Sequence, residues 1–528
     1  MDSLTALTFL PLVGALIVLA MPAAQEKAIR LVALATTLVV AVMGIATYIA
    51  FDGASAALQG TVEAAWFTLP YIGGAEGVDV HFRLGMDGLS VLMVGLTAVM
   101  MPIVILSTYG HIHTRVKEFF VWMLVMETGM LGVFLSMDLV LFYVFWEVSL
   151  VPLYFLVGIW GGANRLYATV KFFLYTVAGS LVMLVAIIAL VHMTGSTDIG
   201  RLMEMASNTD IVSLENQSWM FFAFALAFAI KVPVIPFHTW LADAHTEAPT
   251  SGSVLLAGVL LKMGTYGLLR FAIGFFPMMA LQNRELFMAL GAIGIVYGAL
   301  LAMAQTDIKR LVACSSVSHL GFVVMGMFAL TETGLRGSVL QMVNHGLSTG
   351  LLFLLIGMIY ERRHTRAIAD FGGVALSMPI FAFFFIVSML SSVGLPGLNG
   401  FVGEFMILLG SFEASPLWGT IGVTGVIFGA IYLLSATRRV LFGPLTRKEN
   451  EELQDLNLRE VGLMVPLVVL CFWIGFKPND FLSELDGSID ALVVRIEAAE
   501  TQLELAETAL LLDDSTPDPA VALVEAAQ

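Results

Sequence analysis

Eight ionisable residues fall inside runs that are otherwise apolar. They are Glu127 in "WMLVMETGML", Glu147 in "FYVFWEVSLVPLYF", Lys171 in "ATVKFFLYTV", Lys231 in "FALAFAIKVPVIPF", Lys262 in "VLLAGVLLKMGTYGLLRF", His319 in "CSSVSHLGFVVM", His345 in "QMVNHGLSTG" and Glu404 in "NGFVGEFMILL". A charged side chain at the centre of a bilayer costs about 2.5–3.5 kcal/mol on insertion scales. Bare and facing lipid, the set would cost on the order of 10–20 kcal/mol. Such groups must therefore face one another or water. Acid, lysine and histidine recur from one apolar run to the next: Glu147, Lys231, Lys262, His319, His345, Glu404. A row of that kind passes protons through intervening water. Lysine suits the task because its proton affinity falls on desolvation and rises beside a carboxylate. A change in the Glu147–Lys231 separation would then load or release a proton.

Each residue also has a plainer reading. Glu147 and Lys231 would also serve as a fixed buried pair, and Lys262 and Glu404 as packing charges. Glu127 and Lys171 would sit nearer an interface, where lysine snorkels. His319 and His345 would be neutral core histidines, the least costly buried titratable groups. Lys262, Tyr266 and Arg270 are spaced i, i+4, i+8 and share one helix face. Gln341, His345, Ser348 and Thr349 form a similar polar stripe, and Ser315 and Ser316 lie one turn before His319. His238, Asp243, His245 and Glu247 have ligand chemistry but no HExxH or CxxC spacing, so loop capping or the mouth of a proton path suits them better than a metal.

The elements that must position these groups are membrane helices. The 528-residue chain is 59% hydrophobic and 12% charged, with a mean hydropathy of +0.91. A soluble domain is about half apolar and a quarter charged. A span needs about 20 apolar residues. Fourteen such runs occur, near 3–21, 29–50, 87–109, 119–136, 139–160, 168–193, 219–241, 253–275, 286–304, 309–330, 337–359, 378–409, 417–441 and 460–477. Met1–Met21 lacks a basic start and a small-residue cleavage site, so it reads as the first span. No short alternating segments suggest a β-barrel. The expectation is an all-α polytopic membrane protein of about 14 transmembrane helices. Cys314 and Cys471 lie in apolar runs and frame neither a disulfide nor a ligand set. Much of the net charge of −16 comes from the tail after Lys477, which holds twelve acids and one base, Arg495.

Basic residues set orientation. The loops after odd-numbered spans, with adjoining span ends, hold fifteen of the 25 bases, including Lys27, Arg30, Arg115, Arg362 and Arg459. The other side holds six, and Lys171, Lys231, Lys262 and Arg270 fall inside spans. Both termini are therefore expected outside. The seventh run is broken at "KVPVIPF" and the twelfth at "LPGLNGF". Interrupted helices at corresponding places point to a transport path built from repeats. Five spans separate them, an odd number, which implies inverted units. The expected division is 1–118 for three N-terminal helices, 119–275 and 286–442 for two five-helix repeats, and 443–528 for a last span and acidic tail.

The stretches "FYVFWEVSLVPLYFLVGIWGG", "KVPVIPFHTWLADAHTEAPTSGSVLLAGVLLKMGTYGLLR", "DIKRLVACSSVSHLGF" and "LPGLNGFVGEF" resemble the antiporter-like membrane subunits of respiratory complex I. The resemblance covers nearly the whole chain. Glu404, standing where two of the three complex I branches carry lysine, is similar to the M-type branch, as is "FRLGMDGLSVLM". The resemblance implies that Glu147 and Lys231 are the coupled pair, Lys262 the central lysine, and Glu404 the exit-side carboxylate. His319 and His345 would form the polar axis between them. Glu127, Lys171, His238, Asp243 and Arg270 are secondary candidates. It further implies a subunit of a proton-translocating NADH:quinone oxidoreductase in a bacterial or mitochondrial-type inner membrane. Such a chain carries no cofactor or metal of its own. FMN, iron–sulfur clusters and quinone would belong to partner subunits, and the partners would be other membrane-arm chains, above all the L and N types. Nucleic acid is no partner. A cation/proton antiporter subunit of Mrp type, and a membrane scaffold whose charges only pack helices, are the competing readings.

Overall fold

The computed structural model describes residues 2–70, 77–445 and 447–514. Among them, twelve helices are long and apolar enough to cross a membrane. We number the helices of the membrane layer α1 (Ser3–Ala20), α2 (Glu26–Ile49), α3 (Gly88–Ser107), α4 (Val116–Leu135), α5 (Leu139–Trp160), α6 (Arg165–Thr194), α7 (Leu214–Lys231), α8 (Thr239–Glu247), α9 (Thr250–Ile273), α10 (Arg284–Met303), α11 (Ile308–Phe328), α12 (Glu332–Arg363), α13 (Pro379–Val393), α14 (Asn399–Ala414), α15 (Pro416–Leu441) and α16 (Leu458–Phe476). The α7–α8 and α13–α14 pairs stand where the seventh and twelfth apolar runs were expected to break. Helices dominate because hydrocarbon offers backbone groups no partner outside their own segment.

Burial separates a core from a lipid-facing ring. The membrane windows of α9, α11 and α12 are wholly buried, whereas those of α2, α15 and α16 are about a third buried. Exposed leucines, valines and isoleucines on α2, α6 and α15 make the outer ring apolar, as a surface away from water requires.

One backbone junction occurs twice. Asp138 caps α5 and sits in a bridge to Asp198, with Leu139 N–H donating to the Thr197 carbonyl (2.8 Å) and Ile199 N–H to the Met137 carbonyl (3.1 Å). Asp307 caps α11 and sits in a bridge to Ala367, with Ile308 N–H donating to the Arg366 carbonyl (2.9 Å) and Ile368 N–H to the Thr306 carbonyl (2.9 Å). Every residue of the second junction lies 169 positions after its counterpart (307 − 138, 366 − 197). With the broken α7–α8 pair counted as one crossing, five crossings separate the two, which puts them on opposite faces of the helical layer.

Two elements were not expected. Between α2 and α3 an antiparallel hairpin pairs β1 (Gln59–Leu69) with β2 (Val78–Met86). The start of the acidic tail forms a helix, α17 (Asp486–Asp514), on the same face as the hairpin. Arg336 of α12 pairs with Asp486 and, at 2.8 Å, with Asp490. Arg495 donates to the carbonyls of Met203 and, at 2.9 Å, Gly274. The tail's charge is thus partly spent binding it across both halves of the helical layer. The rest of the tail, 515–528, lies outside the described residues.

Candidate functional site

The polar row is assembled from helices distant in sequence. Lys262 Nζ of α9 donates to His345 Nδ1 of α12 at 2.6 Å, and also to the carbonyl of Ala257. The rings of His345 and His319 of α11 lie 5.8 Å apart, centroid to centroid. His319 Nδ1 donates to Glu404 Oε1 of α14 at 3.0 Å, and Gln341 Nε2 donates to the same oxygen at 3.1 Å. Lys262, His319, His345 and Glu404 are all buried, at 0–6% exposure, yet form one connected polar line. The outer nitrogens of both histidines, Nε2 of His319 and of His345, are buried without a protein partner. Buried polar atoms of that kind are where ordered water binds.

Local backbone explains why these groups are held there. Lys262 lies in a short α-helical segment between two π-helical stretches, Leu256–Leu260 and Leu268–Ile273. In a π turn the carbonyls are displaced from the regular ladder, and the one at Ala257, five residues back, takes the lysine's second hydrogen bond. Gly264 packs on the next helix end: a Cβ there would lie 3.0 Å from the Cβ of Lys231. That close approach brings the end of α7 against α9. Lys231 is the last residue of α7, where a cation is favoured by the helix dipole. It is buried, with its ammonium 5.4 Å from the Trp146 ring and 6.0 Å from the Phe172 ring. Glu147 is the carboxylate that acts on it electrostatically.

The two breaks have their own supports. After α7, Trp240 Nε1 donates to the Ile230 carbonyl at 2.9 Å, filling an acceptor that the helix end leaves open. After α13, Gly394 adopts φ +82°, a conformation that favours glycine and ends the helix. Asn344 of α12 donates to the Asn399 carbonyl at 2.8 Å, and Asn399 Nδ2 donates back to the Asn344 carbonyl at 3.3 Å. The start of α14, and with it Glu404, is thereby tied to the helix that carries His345.

The secondary candidates disperse. Glu127 is not near an interface: it is fully buried mid-way along α4, and neither carboxylate oxygen has a protein partner. Lys171 pairs with Asp243 at 2.7 Å, and Arg310 reaches the other oxygen of Asp243 at 3.1 Å, so this cluster staples α6, α8 and α11 at one face. His238 packs edge-on against Tyr297. The stripe Lys262, Tyr266, Arg270 divides: Lys262 turns to His345, whereas Arg270 pairs with Asp87 at the start of α3 through two 2.6 Å contacts. The π stretches change the angular spacing that simple i+4 counting assumes. Among the described residues no group of three or more His, Cys, Asp or Glu is placed to hold a metal.

One residue belongs with the row that its sequence context set among ligand look-alikes. His245 of α8 is fully buried, stacks on Phe353 (4.8 Å, 3°) and has both ring nitrogens unpartnered. Lys262, His345 and Lys309 are the charged or titratable groups around it. Lys309, counted as a loop base in the sequence, is itself buried and donates to the Ala248 carbonyl at 2.5 Å. A buried histidine two residues from Asp243 in a short helix carries no periodic signal that would have separated it from a capping residue.

Residues 136–429 match the family model described as NADH:quinone oxidoreductase/Mrp antiporter, transmembrane. The chain is 42% identical over 508 residues to NADH-quinone oxidoreductase subunit M of Rhodobacter capsulatus, an alignment covering 94% of this chain and 97% of that protein. Among solved structures it is similar to a chain of respiratory complex I from Thermus thermophilus, at TM-score 0.80 and 32% identity, covering 93% of this chain and 99% of that one. A chain of the Mrp complex from Dietzia sp. DQ12-45-1b gives TM-score 0.79 at 19% identity, covering 94% and 100%, which is a likeness of fold.

Proposed function

The chain belongs to the NADH:quinone oxidoreductase/Mrp antiporter family of membrane subunits, and from that premise we propose that it is the M-type, proton-translocating membrane-arm subunit of NADH:quinone oxidoreductase. The observation that carries the reading is the buried row Lys262–His345 and His319–Glu404, two hydrogen-bonded pairs whose histidine rings lie 5.8 Å apart, with Glu147 acting on Lys231 towards its other end. A proton held on Lys262 has an acceptor in His345 Nδ1. The step from His345 to His319 runs between their unpartnered Nε2 atoms in this reading, with water as the carrier, and His319 donates to Glu404. The chain's own residues hold and pass the proton. The redox step, with FMN, iron–sulfur clusters and quinone, takes place in partner subunits, and the L- and N-type chains flank this one.

The two five-helix units, 119–275 and 286–442, are inverted copies in this reading. The paired junctions 169 residues apart on opposite faces support it, as do the paired breaks beside Lys231 and Glu404. In this reading the loops after odd-numbered spans lie in the cytoplasm, and the termini, hairpin and α17 on the outer side; the excess of basic residues on the first set supports that orientation. The Mrp-type reading shares the fold, but the 42% identity over almost the full length lies with the quinone-linked enzyme.

The test is a pair of chromosomal variants, Lys231→Ala and Glu147→Ala, scored for complex assembly, NADH:quinone reductase rate and proton pumping in membrane vesicles. Assembled complexes with both activities abolished are expected. Normal pumping in both variants defeats the proposal.

A further inference from the structure

The cytoplasmic end of the molecule contains a second polar cluster that the row above does not use. His111, just past α3, has its Nε2 2.5 Å from Glu361 Oε1, near the end of α12. Both side chains are about a quarter exposed, so solvent reaches them. Directly behind the pair is a cavity of about 10 Å³, one water's worth, walled by Ser107, Thr250, Leu354 and Gly357 as well as by His111 and Glu361. The cavity lies between the first turn of α9, the end of α12 and the start of α16. Of its lining residues, Thr250 directly follows the turn Ala248–Pro249, which joins α8 to α9, and Leu354 directly follows Phe353, on which His245 stacks. Beyond His245 lie Lys262 and His345.

We propose that His111 and Glu361 form the proton-uptake port of this subunit, delivering protons from the cytoplasm through the Ser107–Thr250 cavity to His245 and so to the Lys262–His345 pair. The inference rests on the proton-translocating function proposed above. Three independent observations meet in it: a titratable pair open to solvent, a water-sized cavity that the pair lines, and a fully buried histidine with two unpartnered ring nitrogens stacked on the neighbouring α12 residue. The proton balance is simple. Glu361 or His111 takes a proton from bulk water, the imidazolium releases it to water in the cavity, and that water passes it to a ring nitrogen of His245. The port is reset by the next bulk proton. No other reactant is consumed.

Several charged groups surround the port. From α16, Arg459 lies beside Gly110, and Glu460 is held by Arg362 at 2.7 Å. From α2, Arg30 donates to the carbonyls of Tyr109 (2.7 Å) and Ile112 (2.6 Å), fixing the backbone on either side of His111. His113, Arg115 and Lys117 follow on the same loop, and Arg363 follows Glu361 on α12. Glu361 is the carboxylate that faces His111 among these cations.

The experiment uses whole complex in native membrane vesicles. Glu361→Gln and His111→Gln are compared with wild type and with Lys262→Met for NADH-driven pumping across about pH 6 to pH 8, the range in which an imidazole changes charge. The expected result is a loss of about tenfold at the alkaline end for both port variants, recovering towards wild type at the acid end, where bulk protons are plentiful. A pair that merely fastens α3 to α12 would give a loss independent of pH, and that outcome overturns the proposal, as would wild-type rates at both ends. Glu361→Asp, which keeps the carboxylate, should retain most of the alkaline rate. The Lys262→Met arm separates the two inferences. If it is inactive while the port variants are normal, the port alone is wrong; if it pumps normally, the translocation reading itself has failed.

Discussion

Removing the charge of Asp87 should destabilise the subunit severely without stopping proton transfer in the molecules that remain folded. Asp87 and Arg270 meet through two 2.6 Å contacts, with side chains 9% and 6% exposed. Asp87 also accepts the Ser90 N–H at 3.0 Å as the cap of α3. Breaking a buried pair by removing one partner costs about 3–5 kcal/mol, because the other charge is stranded. Asp87→Asn keeps a capping oxygen, so it isolates that effect at about 3–5 kcal/mol. Arg270→Met strands the carboxylate instead, for a similar ~3–5 kcal/mol. The double variant strands neither charge and leaves only imperfectly satisfied polar groups, costing about 1–3 kcal/mol. The singles sum to at least about 6 kcal/mol, so the cycle should show a non-additivity of about 3 kcal/mol or more. Thermal unfolding of the detergent-solubilised chain can be followed with a thiol-reactive dye, since Cys314 and Cys471 are 1% and 0% exposed. Single variants within about 1 kcal/mol of wild type, or strictly additive losses, would refute the argument. Loss of pumping in a well-assembled double variant would move Arg270 into the conducting row.

Glu404→Asp shortens the side chain by one methylene and should break the 3.0 Å contact with His319; pumping should fall by about a hundredfold while assembly persists, as measured in vesicles. Asp243→Asn removes a staple whose members are partly exposed, so stability should change by no more than about 1 kcal/mol per pair in denaturation experiments, and high salt should mimic it. On the hairpin, a hydrogen bond from Arg83 holds the Glu63 carboxyl below the usual carboxylate range. A depressed folded value means the contact helps at neutral pH and is lost as pH falls through that value. Amide exchange across β1 and β2 should therefore accelerate in acid, and Glu63→Gln should abolish the pH dependence.

Much of the architecture was readable because membrane insertion makes polarity expensive. Lys231 next to "VPVIPF" and Glu404 after "LPGLNG" announce both a break and a buried charge, and the helices do stop there. What no run-counting could supply was partnership. Lys171 finds Asp243 from 72 residues away, not Glu147, and Arg270 finds Asp87 from 183. The spacing of Lys262, Tyr266 and Arg270 implied one face because it assumed a regular helix. The hairpin leaves little trace among the apolar runs because β1 and β2 mix polar and apolar residues along their length. His245 was set aside among capping residues because nothing local distinguishes a histidine that caps a turn from one that is buried.

The two loosened stretches on either side of Lys262 have a mechanical corollary. A π turn stores one surplus residue in a helix. Passing that surplus from one stretch to the other would swivel the intervening segment by about 100° while both ends of the rod stay anchored. The ammonium would swing off the Ala257 carbonyl and away from His345 with an axial shift of only about 1.5 Å. A crank of this sort asks only for a few re-registered backbone bonds, so the central lysine has a way to turn inside a tightly filled interior.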